Sequence, residues 1–199
     1  MSGTPESSRG DLARARLLEA AVQAFAAKGF HGTTTRDIAA AAGMSPAAVY
    51  VHHRSKEELL YLISHDGHQR TLDLVRAAVA AGTTPTEQLA EVARRFGAHH
   101  AEGHTWARIV NYELAALAPG HLAEVLELRI GIETEVRRVV EAGALTGEFD
   151  VPDVGIATTA VLSLGIDIAR WYREDGRWTP ADIGEHMAAL ALRVVGARQ

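Results

Sequence analysis

The chain has 199 residues, 47% of them apolar, with 20 Lys and Arg against 25 Asp and Glu and a formal net charge of −5. That length suits one mid-sized domain, or a small domain beside a larger one. The absence of cysteine excludes a disulfide framework, a thiolate metal site and a cysteine nucleophile. The polar opening has no apolar h-region, so no signal peptide is expected. No apolar run reads as a membrane span, and a cytoplasmic protein with no membrane partner is expected. The negative net charge at first argues against a nucleic-acid partner. Its distribution modifies that, with seven Lys/Arg against six Asp/Glu in residues 1–60 and thirteen against nineteen in 61–199, together the −5. Phosphate neutralisation needs a local cluster and not a basic protein, and the N-terminal part is basic relative to the rest.

Residues 1–10 are rich in Ser, Gly and Pro and read as a disordered arm. Arg9, Arg14 and Arg16 are read as solvated rather than as a minor-groove arm. Residues 11–28 form an amphipathic helix with Leu18, Val22 and Phe25 at helical spacing, ended by Gly29. Next comes a dense run of helix signals. Thr34 and Asp37 make a capping box with Asp in place of the usual Glu. A helix of about two turns over 36–42 stops at Gly43, because a C′ position wants the left-handed conformation that glycine takes cheaply. Ser45 as N-cap and Pro46 at the first helical position restart a short helix over 47–53. Ser55 and Glu58 then read as a full capping box opening a long helix to about Ala81.

Gly82 and Pro85 break that helix. The next runs from Pro85 to about His100, with Thr84 or Thr86 near its start and Leu89, Val92 and Phe96 inward. A Gly-containing junction precedes a helix over 105–117, and Pro119-Gly120 punctuates it. A long helix spans about 121–142. The last two helices carry apolar seams at spacings of three and four: Val154, Ala157, Val161, Leu164 and Ile168, then Ile183, Met187, Leu190 and Val194. Two adjacent seams in a chain already holding a core predict a four-helix interface across a two-fold axis. The fold class is all-α, about nine helices in two parts: a small helical part at 11–54 and a bundle at 55–199.

Two short helices joined by a Gly-containing turn are a helix-turn-helix, whose second helix offers its N-terminal residues to base edges. Gly29-Phe30, Thr34, Asp37-Ile38-Ala39, Ala42-Gly43, Ser45, Val49-Tyr50, His52 and Lys56-Glu57-Glu58-Leu59 together resemble the DNA-binding domain of the TetR family of one-component repressors. The match covers about residues 10–62. One position departs from the family: His53 stands where an aromatic, most often Phe, plugs the small core. His53 must therefore be buried with a partner or leave that core looser. The resemblance implies a homodimer on a palindromic DNA operator, a variable C-terminal bundle that dimerises and holds an effector, and coupling through the helix at 55–81.

For DNA, Thr34, Thr35 and Arg36 are placed for phosphate contacts, helped by backbone N–H groups. Ser45, Pro46, Ala47 and Ala48 face bases and carry few donors, so thymine methyls and DNA shape would supply specificity. Tyr50 and His52 fit phosphates, and Lys56 matches the family's phosphate-binding lysine. For an effector, Phe96, His104, Arg108, Asn111, Tyr112, Arg129 and Trp171 give aromatic bodies with a few polar groups. The segments around Asn111-Tyr112-Glu113-Leu114, Leu128-Arg129, Gly147-Glu148-Phe149 and Ala169-Arg170-Trp171-Tyr172 are similar to TetR-type repressors that respond to acyl-CoA thioesters. That likeness implies a guanidinium from Arg108 or Arg129 on a CoA phosphate.

Two rival readings are weaker. His99, His100 and His104 with Glu102, or His65 and His68 with Asp66, would serve a metal-responsive regulator, but no ligand pair is fixed by spacing and solvated histidines are expected. The helix-turn-helix could also serve as a protein-interaction module. No catalytic constellation, bound metal or cofactor is expected: His65-Asp66 lacks the companion ligands of a phosphohydrolase, and there is no phosphate loop or nucleophile elbow.

Overall fold

A computed structural model describes residues 6–198. Among them are nine α-helices, one short 3₁₀ turn and no strand. The helices are α1 (Glu6–Gly32), α2 (Thr35–Ala41), α3 (Pro46–His52), α4 (Lys56–Ala81), α5 (Pro85–Glu102), α6 (His104–Tyr112), α7 (Pro119–Thr146), α8 (Val154–Trp171) and α9 (Pro180–Val194). The chain divides into two compact units. The first runs to Asp66 and takes in Arg108–Val125; the second holds Gly67–Ala107 and the chain from Leu126 on. This differs from the expected division at 54/55, because the first turns of α4 and the segment from the second half of α6 to the start of α7 belong with the helix-turn-helix.

Local signals set most of the boundaries. Thr34 accepts from the Asp37 N–H, and Asp37 accepts from the Thr34 N–H at 2.8 Å, so the expected capping box is complete. Gly43 has φ 65°. Ser45 accepts from the Ala48 N–H, with Pro46 in the first turn. Thr84 with Glu87 and Thr179 with Asp182 are two further capping boxes, each with Pro at the helix start. Glu58 departs from expectation. Ser55 Oγ accepts from the Glu58 N–H at 3.0 Å, but the Glu58 carboxylate takes the Arg54 N–H, one residue earlier than a reciprocal box requires.

Three other expectations change. Glu6–Gly10, read as part of a disordered arm, belongs to α1; residues 1–5 lie outside the described residues. Gly29 does break α1, with φ 69° and ψ 168°, although a helical turn resumes to Gly32. The helix expected over 105–117 ends at Tyr112 and is followed by a 3₁₀ turn at Leu114–Ala116.

In the first unit α1 packs on α2 and α3, and α2 on α3. Leu17, Val22, Phe25, Phe30, Ile38, Val49, Leu59 and Ile63 are its buried apolar side chains. In the second unit α5 lies against α8 and α9. A Cβ on Gly165 would sit 2.3 Å from Phe96, and one on Gly184 would sit 2.7 Å from the Arg94 carbonyl. These glycines let the helix backbones approach, and dispersion contacts that a side chain would block fill the space. The core of this unit includes Leu72, Val75, Leu89, Val92, Val136, Val140, Phe149 and Val161.

Helix α8 is long and apolar enough to cross a membrane by length and composition alone, contrary to the expectation that no run reads as a span. Its inner side, Ala157, Thr158, Val161, Gly165 and Ile168, is core of the second unit. Ile183 on α9 is buried there too. Ala157, Val161, Ile168 and Ile183 are therefore not available to a second subunit as expected, and Val154 and Met187 are partly packed on the same cores. The outward apolar side chains are Leu164, Leu190 and Val194, joined by Ile156, which is 71% exposed.

Candidate functional site

The first unit presents the second helix of its helix-turn-helix outward. Ser45, Pro46 and Ala47 are exposed and Ala48 half-buried, while Val49 is fully buried and fixes which face turns in. Small side chains at the start of α3 leave its backbone open to close approach. Tyr50 is exposed, and its hydroxyl lies 3.2 Å from Thr35 Oγ1, which joins α2 to α3. Thr34 and Arg36 are exposed at the start of α2, and His52 is half-buried at the end of α3. Arg16 donates to the Ala42 carbonyl at 2.8 Å and holds the end of α2 just before the turn. Nine of the ten expected contact residues thus lie on α2, α3 and their caps.

Lys56 is the exception. Its ammonium donates to the Phe30 and Thr33 carbonyls, each at 2.8 Å, and lies 4.3 Å from the Phe30 ring centroid. It braces the α1–α2 junction, where the family resemblance implies a phosphate contact. Lys28 works on the same junction through a 2.7 Å ion pair with Asp37. That pair, with the Thr34 hydrogen bonds, holds the Asp37 carboxyl well below the usual carboxylate range.

The segment Arg108–Val125 is fastened within this unit by polar contacts. Glu113 accepts from the Phe30 N–H at 3.4 Å. Glu57 accepts from the Ala118 N–H at 2.8 Å and pairs with His121 Nδ1 at 2.9 Å. The His121 ring stacks on Tyr61 with centroids 3.9 Å apart, and the Tyr61 hydroxyl donates to Glu124. That bond to an acceptor carboxylate raises the phenol's pKa.

The expected effector residues fall in both units. Arg108, Asn111 and Tyr112 belong to the first unit, while Phe96, His104, Arg129 and Trp171 belong to the second. Phe96 is a core side chain against Gly165 and the His100 ring. Trp171 is exposed, whereas its neighbour Tyr172 is buried, 5.4 Å from the His104 ring. The second unit instead gathers a polar interior that the sequence does not single out for an effector. His68 and His100 are buried, contrary to the expectation of solvated histidines. Arg129 Nη1 lies 3.4 Å from His68 Nε2, and Thr71 Oγ1 lies 3.4 Å from His99 Nε2. His100 Nδ1 meets the Phe96 carbonyl at 2.9 Å. Burial pushes the His100 pKa down to about 4, lowers that of His99, and lowers that of the Arg129 guanidinium. A buried imidazole beside a partly desolvated guanidinium suits a polar, anionic or carbonyl-bearing group. The sequence signal is present in His68, Thr71 and Tyr172, but only helix phase shows that they turn inward. Among the described residues no three His, Asp or Glu side chains are grouped to hold a metal ion.

Residues 17–61 match the model of bacterial regulatory proteins of the tetR family, and residues 82–195 match that of the tetracyclin repressor-like C-terminal domain. The chain belongs to the TetR family of transcriptional regulators. Its relatives in this family include the HTH-type transcriptional repressor KstR2 of Rhodococcus jostii, 30% identical over 186 residues that cover 90% of this chain and 89% of KstR2. A crystal structure of a tetR-family regulatory protein from Rhodococcus RHA1 is 40% identical, with a TM-score of 0.89 over 94% of this chain and 98% of that one. The crystal structure of AibR in complex with isovaleryl coenzyme A and operator DNA shares the fold at 24% identity, with a TM-score of 0.82 over 89% of this chain and 97% of that one. As a TetR-family member the chain is a DNA-binding regulator and not an enzyme, which accords with the capped helix-turn-helix.

Proposed function

We propose that this regulator is a repressor that binds a palindromic operator as a homodimer and releases it on binding an acyl-CoA thioester. The observation that carries the DNA reading is the α3 start: small exposed residues on a helix whose phase is locked by buried Val49 and whose turn is fixed by Gly43. Thr34, Thr35, Arg36, Tyr50 and His52 would meet phosphates, and Ser45, Pro46, Ala47 and Ala48 the bases. One recognition helix reads only a few base pairs, whereas two related by a two-fold axis read half-sites about 34–36 Å apart. The second copy would dock on Ile156, Leu164, Leu190 and Val194, the apolar residues that α8 and α9 leave outward. That surface also accounts for the apolarity of α8 without a membrane.

The effector reading draws on the likeness to AibR, captured with isovaleryl coenzyme A and operator DNA, and on the polar interior of the second unit. Arg129, with His68 beside it, would take the thioester or phosphate end. Helix α4 and the segment Arg108–Val125, both fastened to the helix-turn-helix, would carry the response through differential binding to two arrangements. The test is fluorescence anisotropy with a duplex library from the DNA flanking its own gene, followed by a panel of acyl-CoAs. Tight, saturable, sequence-specific binding that an acyl-CoA weakens is expected. Sequence-independent binding would overturn the operator reading. Specific binding with no change in affinity or thermal stability across the panel would overturn the acyl-CoA reading alone.

A further inference from the structure

His53 sits at the junction between α3 and α4 in the DNA-binding unit. It caps the C-terminus of α3, where its N–H donates to the Val49 carbonyl at 2.8 Å. Its side chain is 4% exposed, and neither ring nitrogen has a hydrogen-bond partner. A neutral imidazole has one donor and one acceptor to satisfy; an imidazolium has two donors and a charge. Leaving such groups buried and unpaired costs about 1–3 kcal/mol for neutral groups and more for charged ones. The charged and titratable groups acting on the ring are Glu58 from α4, His52 from α3 and Arg14 from α1; α2 adds none. Only Glu58 favours a proton on His53, and its carboxylate already accepts from the Arg54 N–H.

We propose that His53 is an acid-sensitive latch on the DNA-binding unit, whose protonation opens the α3–α4 junction that holds the recognition helix. The direction follows from burial, which lowers the folded-state pKa of this ring below its ordinary 6.5. The folded unit therefore binds the proton more weakly than the open one. The contribution to stability is complete above pH 6.5 and is lost as pH falls below it. At one pH unit below that value the closed-to-open ratio falls by up to about 10-fold. The effect on operator occupancy has a diagnostic sign. Positive charge added on the exposed surface of the unit would strengthen binding to phosphate, whereas a proton on buried His53 opens the junction behind the reading surface.

The test is hydrogen–deuterium exchange of the full chain without DNA at pH 7.5, 6.5 and 5.5, corrected for the intrinsic rate, on peptides within residues 46–63. The wild type should lose up to about 10-fold in protection between pH 7.5 and 5.5, most of it below pH 6.5. His53→Phe should keep its protection, and His53→Leu serves as a second variant should the larger ring disturb folding. Unchanged protection in the wild type, or the same acid loss in both variants, would overturn the latch. Exchange is read on the free protein, so the latch can fail while DNA binding stands, and the reverse.

Discussion

Lys56 separates two accounts of the DNA-binding unit. In one it is a phosphate contact; in the other it is an internal brace, spent on two carbonyls at 2.8 Å and on the Phe30 ring. Lys56→Met keeps the aliphatic stem and removes the charge. Hydrogen bonds to a charged group are worth about 1.5–3 kcal/mol each, but two bonds from one half-buried ammonium do not add fully. The cation–π contact adds about 0.5–1 kcal/mol at such a site. The brace account therefore expects a loss of about 2–3 kcal/mol in the stability of the first unit. Urea unfolding monitored by exchange protection of α1–α4 peptides measures this. The salt dependence of duplex binding measures the rival account, because freeing one phosphate from a bound cation reduces the log–log slope by about 0.9. Unchanged stability together with a shallower salt slope would refute the brace.

Three other substitutions test the second unit, with Gly120→Ala in the first unit as a control. Gly165→Ala would place a Cβ 2.3 Å from the buried Phe96 ring. The gain of about 1 kcal/mol in helix propensity is outweighed by about 1–3 kcal/mol of overpacking, so thermal melting should show a net loss, whereas Gly120→Ala, with nothing within 4 Å, should be neutral or stabilising. His100 binds its proton more weakly folded than unfolded. Its contribution is intact above pH 6.5 and is lost as pH falls towards about 4, on the order of 3 kcal/mol in all, and urea titrations of His100→Leu should lack that acid loss. Leu190→Arg alters a side chain 38% exposed in the subunit. It should change subunit stability by no more than about 0.5 kcal/mol, yet sedimentation should shift to monomer and operator affinity should drop; a variant still dimeric would redirect the interface elsewhere.

The helix boundaries are largely readable from sequence because the signals that set them act within four residues. Thr34 with Asp37, Ser45 with Pro46, Thr84 with Glu87, and Gly43 at φ 65° each complete a local hydrogen bond or accept a local backbone conformation. What escapes reading depends on partners far along the chain. Lys56 reaches carbonyls 26 and 23 residues away, and Glu57 reaches Ala118 and His121 across more than sixty. Residue type alone gives Lys56 a surface role. The choice between Trp171 and Tyr172 as the inward aromatic is a matter of helix phase at an end, where one residue turns the side chain by about 100°. The seams on α8 and α9 have the expected period but do not form one surface, since each helix divides its apolar residues between its own core and the outside. His53 departs from the family pattern, and the structure resolves the alternative that this opens: buried, and without a partner.

The brace at the α1–α2 junction has a practical consequence. Lys28 and Lys56 are the two lysines of the chain, both in the DNA-binding unit and both engaged at that junction. Lysine-directed reagents, whether dyes, cross-linkers or the activated esters of biosensor chips, therefore act on the reading head and find no lysine in the bundle. Coupling at Lys28 would release Asp37 from its ion pair, and coupling at Lys56 would free the end of α1. A labelled preparation would then show weak operator binding that belongs to the label. Immobilising the duplex in place of the protein avoids this, and a cysteine introduced into a chain that has none gives a single labelling site of the experimenter's choosing.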